Sequence, residues 1–247
     1  MSDPSQDRHL YDKKILKKHN RTGSTEGGAC LNRHISKVTV SSCSHRWQAK
    51  MRAAKADSAW YNWPAYQDAG VKEGLWNVSE NMGHANFSRS FAVPYVHNGH
   101  HIVPNSVLND SITEAATRDY RLYDLVRIGL LDAKYNHNHM INMIILPKDR
   151  NVASALKLPR HLHLNQMKHS AYSRKVKKKV VEIIEAYQKQ IKLEDCKNAP
   201  DVDFDKAQLE RISNIMRTAI RAWGVAEAPR TLTAMTNRFI TMVTGWH

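Results

Sequence analysis

The spacing of apolar and polar positions predicts two short strands. A short apolar run ends in proline at Ile102-Val103-Pro104, and a longer one at 143–147 also ends in proline. Short apolar runs closed by proline are typical of strands. The first strand is therefore predicted to run from about Phe91 or Tyr95 to Val103, and the second to follow Asn142.

Helical spacing dominates the rest of the chain. A helix is predicted from Ile112 to about Leu131, begun by a capping box in which Ser111 and Glu114 satisfy free amides of the first turn. Apolar residues three or four apart predict four more helices: His45 to Ala59, one running from Ser173 towards Ile191, 209–223 and 232–246. The sequence thus predicts an α+β protein that is predominantly helical.

The net positive charge of the chain favours a negatively charged partner. The chain has 247 residues, of which 42% are hydrophobic, and carries 37 Lys and Arg against 23 Asp and Glu, a net charge of +14. Such a chain is attracted to polyphosphates, although an acidic protein would also suit it. Three cysteines do not indicate a disulfide scaffold. The N-terminus lacks the apolar core of a secretory signal, and no apolar run approaches the roughly 20 residues that span a bilayer.

The adjacent pair His100-His101 is the main candidate for chemistry. Neighbouring side chains of a strand point to opposite faces, so the two histidines are expected to have different roles, one towards a metal and one towards a substrate. Imidazole suits both, since it binds borderline metals and exchanges protons near its ordinary pKa of about 6.5. The alternative is two ordinary surface histidines in a chain that has 14.

Three motifs follow one another along the chain. The first is Gly99-His100-His101 with its apolar run, and the second is Asn142 before the second apolar run. The third is a histidine-rich segment that contains His161, His163, His169 and Tyr172. This order over roughly residues 97–190 resembles the HNH/endonuclease VII superfamily, the ββα-metal nucleases. Within it, the chain is similar to the branch called AHH, which is found in bacterial polymorphic toxins. The resemblance implies a small ββα-metal nuclease core with helical accessory regions.

The resemblance also implies roles for the site residues. His101 would be the general base, with its role and that of His100 open to exchange. Asn142 would orient the base, and His100, His163 and His169 would hold one divalent ion, either Zn, Mg, Mn or Ni. Related nucleases space their helix histidines four apart, whereas here the spacings are two and six. Whether His161, His163 or Asn165 completes the metal site is therefore open.

Five basic residues and one tyrosine around the last motif are the candidate contacts with nucleic acid, DNA being preferred to RNA. They are Arg160, Tyr172, Arg174, Lys175, Lys177 and Lys178, and a solvated helix face is the alternative for the lysines. The resemblance further implies a toxin exported without a signal peptide, acting in the cytoplasm of a target bacterium and neutralised in the producer by an immunity protein. That partner would be acidic by charge complementarity.

The predicted organisation has four parts: a flexible basic segment at 1–28, a mixed accessory region at 29–95, the nuclease core with an inserted helix at 96–194, and a helical accessory region at 195–247. A structural zinc on Cys30, His34, Cys43 and His45 is a further possibility. The aromatic cluster Trp60, Tyr61, Trp63 and Tyr66 could stack on bases or pack in a core. The competing functions are a non-catalytic nucleic-acid-binding protein with structural zinc, an RNA-specific nuclease of the same fold, and an adaptor domain.

Overall fold

The structure is a computed structural model that describes residues 29–31, 44–57, 60–61, 95–161, 170–196, 199–228 and 230–246. Within these ranges the chain forms seven α-helices and a two-stranded antiparallel sheet, which confirms the α+β prediction. In chain order the elements are α1 (His45–Met51), β1 (His97–His101), α2 (Asn105–Ala115), α3 (Arg121–Asp132), β2 (Met143–Pro147), α4 (Arg150–Leu156), α5 (Ser170–Gln188), α6 (Ala207–Glu227) and α7 (Asn237–Thr244). A π-helical turn, Arg52–Ala56, continues α1.

The chain divides into two compact units, each assembled from three separate stretches. The sheet unit comprises residues 49–102, 143–175 and 214–247, and contains both strands. The helical unit comprises residues 1–48, 103–142 and 176–213. The organisation into four successive regions stays a prediction.

The sheet unit is built on β2, whose five residues are all buried. β1 pairs with it in antiparallel register, with Gly99 opposite Ile145 and His101 opposite Met143. Met143 and Ile145 belong to a core that also contains residues from α1, the π-helical turn, the segment before β1 and the segment after β2: Ala49, Ala53, Tyr61, Tyr95, Val152, Leu156 and Leu158. A strand that is apolar throughout is stable only if it is covered, and this cluster covers it.

The predicted helix from Ile112 to Leu131 is wrong in its bounds. Two helices occupy this region, α2 and α3, separated by a 3-10 turn at Ala116–Arg118. Pro104, with φ of −64°, caps α2, so the helix begins seven residues earlier than predicted. Ser111 lies inside α2 and its hydroxyl donates to the carbonyl of Val107 at 2.7 Å, so the predicted capping box is also wrong.

The remaining helices follow their sequence patterns more closely. Asp149 caps α4 by accepting the backbone N–H groups of Asn151 and Val152 at 2.8 and 3.0 Å. α7 is shorter than predicted, because Leu232–Ala234 is a 3-10 turn and Thr236 caps the helix that follows. Among the described residues, no helix is both long enough and apolar enough to cross a membrane.

Candidate active site

β1 holds the histidine pair with its two rings on opposite faces of the strand. His100 lies opposite Ile144 of β2, and His101 lies opposite Met143. Both side chains are largely buried, at 7% and 8% exposed. Successive residues of a paired strand face opposite ways, so the two imidazoles meet different surroundings. Opposite facing is the arrangement expected from the sequence, while the roles of the two rings, one towards a metal and one towards a substrate, stay predictions.

The face of His100 carries a second imidazole. The ring centroids of His161 and His100 lie 5.3 Å apart, and the ring centroid of Tyr172 lies 5.8 Å from that of His100. His161 is held in place by its backbone N–H, which donates to the carbonyl of Pro147 at 2.8 Å. Asn98, two residues before His100 and so on the same face, places its side-chain nitrogen 3.3 Å from Nδ1 of His161.

Tyr172 supports the strand from inside the sheet unit. Its ring is 1% exposed, and its hydroxyl donates to the carbonyl of Ile102, the residue after the histidine pair. Burial raises the pKa of this phenol well above its ordinary value, so it remains a neutral donor. A ring that is 1% exposed offers no face for a base in this structure, so the nucleic-acid contact predicted for Tyr172 gains no support and stays a prediction.

The predicted metal ligands lie partly outside the described residues. His163 and His169 fall in the range 162–169, and within the described ranges no group of three or more metal-binding side chains occurs. His100 and His161 nevertheless fit a shared cation. Two imidazoles bound to one tetrahedral ion at ~2.1 Å have ring centroids about 5.2 Å apart, close to the 5.3 Å seen here.

Asn98 completes this fit. Turning its side-chain amide by 180° places the oxygen against Nδ1 of His161. The oxygen would then accept a hydrogen bond from Nδ1–H, which makes Nε2 the unprotonated nitrogen that could bind a cation, the usual way in which an outer residue orients a histidine ligand. His161 was one of the candidates predicted from the sequence, whereas Asn98 was not predicted. The missed signal was the spacing of two residues between Asn98 and His100 on one strand.

Asn142 is fully used in holding the backbone of the helical unit. It is 1% exposed. Its Oδ1 accepts the N–H of Val103 at 2.7 Å and the hydroxyl of Ser213 at 2.9 Å, and its Nδ2 donates to the carbonyls of Val103 and His137 at 3.2 and 2.8 Å. Val103 follows His101 by two residues. Asn142 thus fixes the main chain just beyond the histidine pair.

Two side chains occupy the outer edge of β2, opposite the edge that pairs with β1. Tyr61 donates its hydroxyl to the carbonyl of Ile145 at 2.7 Å and accepts the N–H of the same residue at 3.1 Å. Arg217 of α6 donates to the carbonyl of Met143, and its Nη1 donates to Asp57 at 2.6 Å. Arg217 was not predicted from the sequence. An arginine within the apolar stripe of α6, between Met216 and Ile220, was the available signal.

Arg217 and Asp57 form a buried ion pair, with 4% and 3% of their side chains exposed. Burial lowers the pKa of Arg217 to about 10, and the negative charge of Asp57 opposes that shift. The guanidinium therefore remains charged at neutral pH. Asp57 also accepts from Nε of Arg52 at 3.1 Å, so its carboxylate has two cationic partners.

The basic residues predicted to bind nucleic acid differ in their surroundings. Arg174 and Lys178 are exposed on α5, whereas Lys175 donates to the carbonyl of Trp246 at 3.1 Å. Lys177 pairs with Glu114 at 2.6 Å, in a bridge whose two side chains are 38% and 52% exposed. Exposed pairs of this kind contribute little to stability, so Lys177 can exchange its carboxylate for a phosphate.

Two other candidate groups are only partly described. Cys30 and His45 are buried in the helical unit, and Cys30 pairs its main chain with Tyr135 and His137. His34 and Cys43 lie outside the described residues, so the zinc site on these four stays a prediction. Of the aromatic cluster, Tyr61 packs in the core of the sheet unit, while Trp63 and Tyr66 also lie outside the described residues.

Comparison with known proteins identifies the family. Residues 81–215, more than half of the chain, match the model of AHH, described as a nuclease family of the HNH/ENDO VII superfamily with conserved AHH. No curated protein and no solved structure matches the chain. The matched range contains both strands, the histidine pair and Asn142, and the triplet that names the family reads Gly99-His100-His101 here. The chain belongs to the AHH nuclease family of the HNH/endonuclease VII superfamily.

Proposed function

We propose that the protein is a metal-dependent endonuclease that hydrolyses DNA and acts as an antibacterial toxin. The observation that carries the proposal is the histidine pair on β1, with His100 beside a second imidazole and His101 on the opposite face. This separates a cation-binding function from a proton-transfer function within two adjacent residues. Membership of a nuclease family supports phosphodiester hydrolysis as the reaction.

His101 is the proposed general base. Its unprotonated ring nitrogen takes a proton from the attacking water, whose oxygen forms the new bond to phosphorus while the bond to the 3′ oxygen breaks. A base must be held at a fixed angle to be effective, and the main chain is anchored at the two residues that follow the pair. Tyr172 holds Ile102, and Asn142 holds Val103.

His100 and His161 are the proposed ligands of the divalent cation, with a further ligand from His163 or His169. When bound, a divalent cation supplies the positive charge that polarises the scissile phosphate and stabilises the leaving oxygen. Imidazole ligands favour Zn, Ni or Mn, and Mg remains compatible because the phosphate supplies oxygen ligands. Asn98 would orient His161 as described above.

A DNA substrate and a toxin role are supported by charge and by family. The net charge of +14 suits a long polyphosphate, and Arg174 and Lys178 are exposed on the helix that begins one residue after His169. We propose that the protein acts in the cytoplasm of a target bacterium and that an acidic immunity protein neutralises it in the producer. Expression of the parent in a bacterial cytoplasm should then stop growth, while a His101→Asn variant should not.

The decisive experiment is incubation of the purified protein with supercoiled plasmid and with total RNA, in EDTA or with Mg, Mn, Ni or Zn. The parent should cut plasmid only when a metal is present. His101→Asn should lose at least about 100-fold in rate, because general base catalysis typically contributes that much. Cleavage of RNA alone would overturn the choice of DNA.

The matched control is His97→Asn. His97 lies on the same strand and the same face as His101 and is similarly buried, at 5% exposed, but its Nδ1 contacts the carbonyl of Tyr95 at 2.7 Å. Equal loss of activity in folded His97→Asn and His101→Asn would contradict the base assignment. A parent that cuts neither substrate with any metal would exclude the catalytic proposal, and zinc content would then test the non-catalytic alternative.

A further inference from the structure

The sheet unit has a surface depression lined by three arginines. Its volume is about 360 Å³, and its lining is Arg150, Arg160, Ala226, Glu227, Ala228 and Arg230. Arg150 begins α4, Arg160 follows Pro159, and the other residues belong to the end of α6 and the turn after it. Three positive charges and one negative charge therefore meet in one concave surface. Nothing in the proposed hydrolysis uses them.

The backbone holds this arrangement together. The N–H of Arg160 donates to the carbonyl of Arg230 at 3.0 Å, and the N–H of Leu232 donates to the carbonyl of Arg160 at 3.0 Å. These two bonds form a short parallel bridge between Arg160 and Thr231. Arg160 and Arg230 are thus kept side by side by main-chain bonds, so the concentration of positive charge is part of the fold.

The one carboxylate in the depression does not cancel the charge. Glu227 lies 3.1 Å from Nε of Arg230, and their side chains are 36% and 64% exposed. An exposed pair of this kind contributes little, and a guanidinium offers five donors of which one is used here. A doubly oxygenated anion such as a phosphodiester matches the remaining donors, because it accepts the paired N–H groups of a guanidinium.

The depression adjoins the pair of imidazoles formed by His100 and His161, because Arg160 in its lining is the residue directly before His161. Arg160 and His161 are adjacent, about 3.8 Å apart at Cα, and the ring of His161 contacts that of His100. The N–H of Arg160 donates to Arg230, whereas that of His161 donates to Pro147. Neighbouring groups that alternate in this way belong to extended backbone, whose successive side chains face opposite ways. The arginines therefore lie beside the imidazoles but on another side of the segment.

We propose that this depression, the arginine pocket, binds a phosphodiester group of the nucleic acid that flanks the bond to be cut. Phosphates of one DNA strand advance about 3.4 Å along the helix axis per nucleotide, so a strand cut at His100 and His161 carries further phosphates on both sides of that bond, and the arginines beside His161 would meet one of these. The inference rests on the proposed function, since it assigns part of the path of that same substrate. Arg230 lies outside the family-matched range 81–215, so this contact belongs to the accessory part of the chain.

The test is binding of labelled DNA in EDTA by the His101→Asn protein, alone and combined with Arg150→Gln or Arg230→Gln. Each arginine change should weaken binding about tenfold, the loss expected for one charge-assisted contact. The slope of log affinity against log salt should become shallower by about 0.9 for duplex DNA and about 0.7 for a single strand per lost phosphate. In the active protein, KM should rise while kcat at saturating DNA stays unchanged.

Arg238→Gln is the matched control. Arg238 is exposed in the same unit, is not part of the pocket lining, and its replacement changes the net charge equally. Equal affinity and equal salt slope in the pocket variants and in this control would overturn the arginine pocket while leaving the nuclease intact. A parent that neither binds nor cuts DNA or RNA would instead overturn the proposed function, and the pocket with it. Unfolding temperatures near that of the parent would show that the exposed changes leave the fold in place.

Discussion

Replacing Asn142 by alanine would remove four hydrogen bonds from one buried position. The amide bonds both main-chain groups of Val103, the carbonyl of His137 and the hydroxyl of Ser213. A buried hydrogen bond contributes about 1 kcal/mol net, so the sum is about 4 kcal/mol, and stranded main-chain groups add to that cost. Since domains are typically stable by only about 5–15 kcal/mol, the variant should be severely weakened.

Ser213→Ala is the control for this change. It removes one of the four bonds and leaves the other three, so it should cost about 1 kcal/mol. Urea unfolding followed by tryptophan fluorescence measures both free energies of unfolding. If Asn142→Ala cost no more than Ser213→Ala, the bonds to Val103 and His137 would carry no stability and the reasoning would be refuted.

Asn142→Asp separates positioning from stability. The carboxylate keeps its accepted bonds but faces two carbonyl oxygens that the amide nitrogen had served. Burial without a donor raises the pKa of such a carboxyl, so its stabilising protonated form is lost as pH rises from acid. The variant should therefore approach the parent's stability at acid pH and fall behind at neutral pH. Full plasmid cleavage by a folded Asn142 variant would exclude a positioning role for this residue.

Other predictions follow from packing and charge. Gly224→Ala should cost about 1–3 kcal/mol by thermal unfolding, because the new Cβ would lie 2.3 Å from the carbonyl oxygen of Lys157. Arg217→Met should cost about 3–5 kcal/mol, since it leaves Asp57 buried beside Arg52 alone, and the double change with Asp57→Asn should recover part of that; an additive double variant would contradict the pairing. The stability that the buried tyrosines contribute should be constant below pH 10 and fall above it, because unfolded tyrosines ionise near their ordinary pKa of 10.0 while the buried ones keep their protons. Thermal unfolding across a pH series above neutrality would show this fall. The tyrosines with raised pKa are Tyr61, Tyr95, Tyr135, Tyr172 and Tyr187.

The two strands and the opposite facing of His100 and His101 were predictable from the sequence. Both depend on short-range rules: apolar runs closed by proline, and side chains that alternate along a strand. The prediction of a capping box was wrong although it also depended on a short-range rule. Ser111 and Glu114 have the right spacing, but that spacing also occurs inside a helix, and Pro104 had already begun the helix upstream. The local motif alone could not show whether the helix begins at Pro104 or at Ser111.

Contacts between residues that are far apart in the sequence could not be predicted from it. Tyr61 bonds a residue 84 positions away, and Arg217 bonds one 74 positions away. No spacing rule relates such positions, because their meeting depends on how whole elements pack. The ring contact between His161 and His100 is of this kind, since the local pattern favoured His163 as a ligand and left His161 and Asn165 as alternatives.

The residues that cover the outer edge of β2 limit how far the chain can be truncated without loss of stability. Tyr61 and Arg217 lie outside the family-matched range 81–215, yet they satisfy the outward main-chain groups of Ile145 and Met143. A protein cut to that range would expose an apolar strand with unpaired amides and carbonyls, the kind of edge that joins strands of other molecules. The matched segment alone should therefore aggregate, and its recombinant production would require both flanking regions.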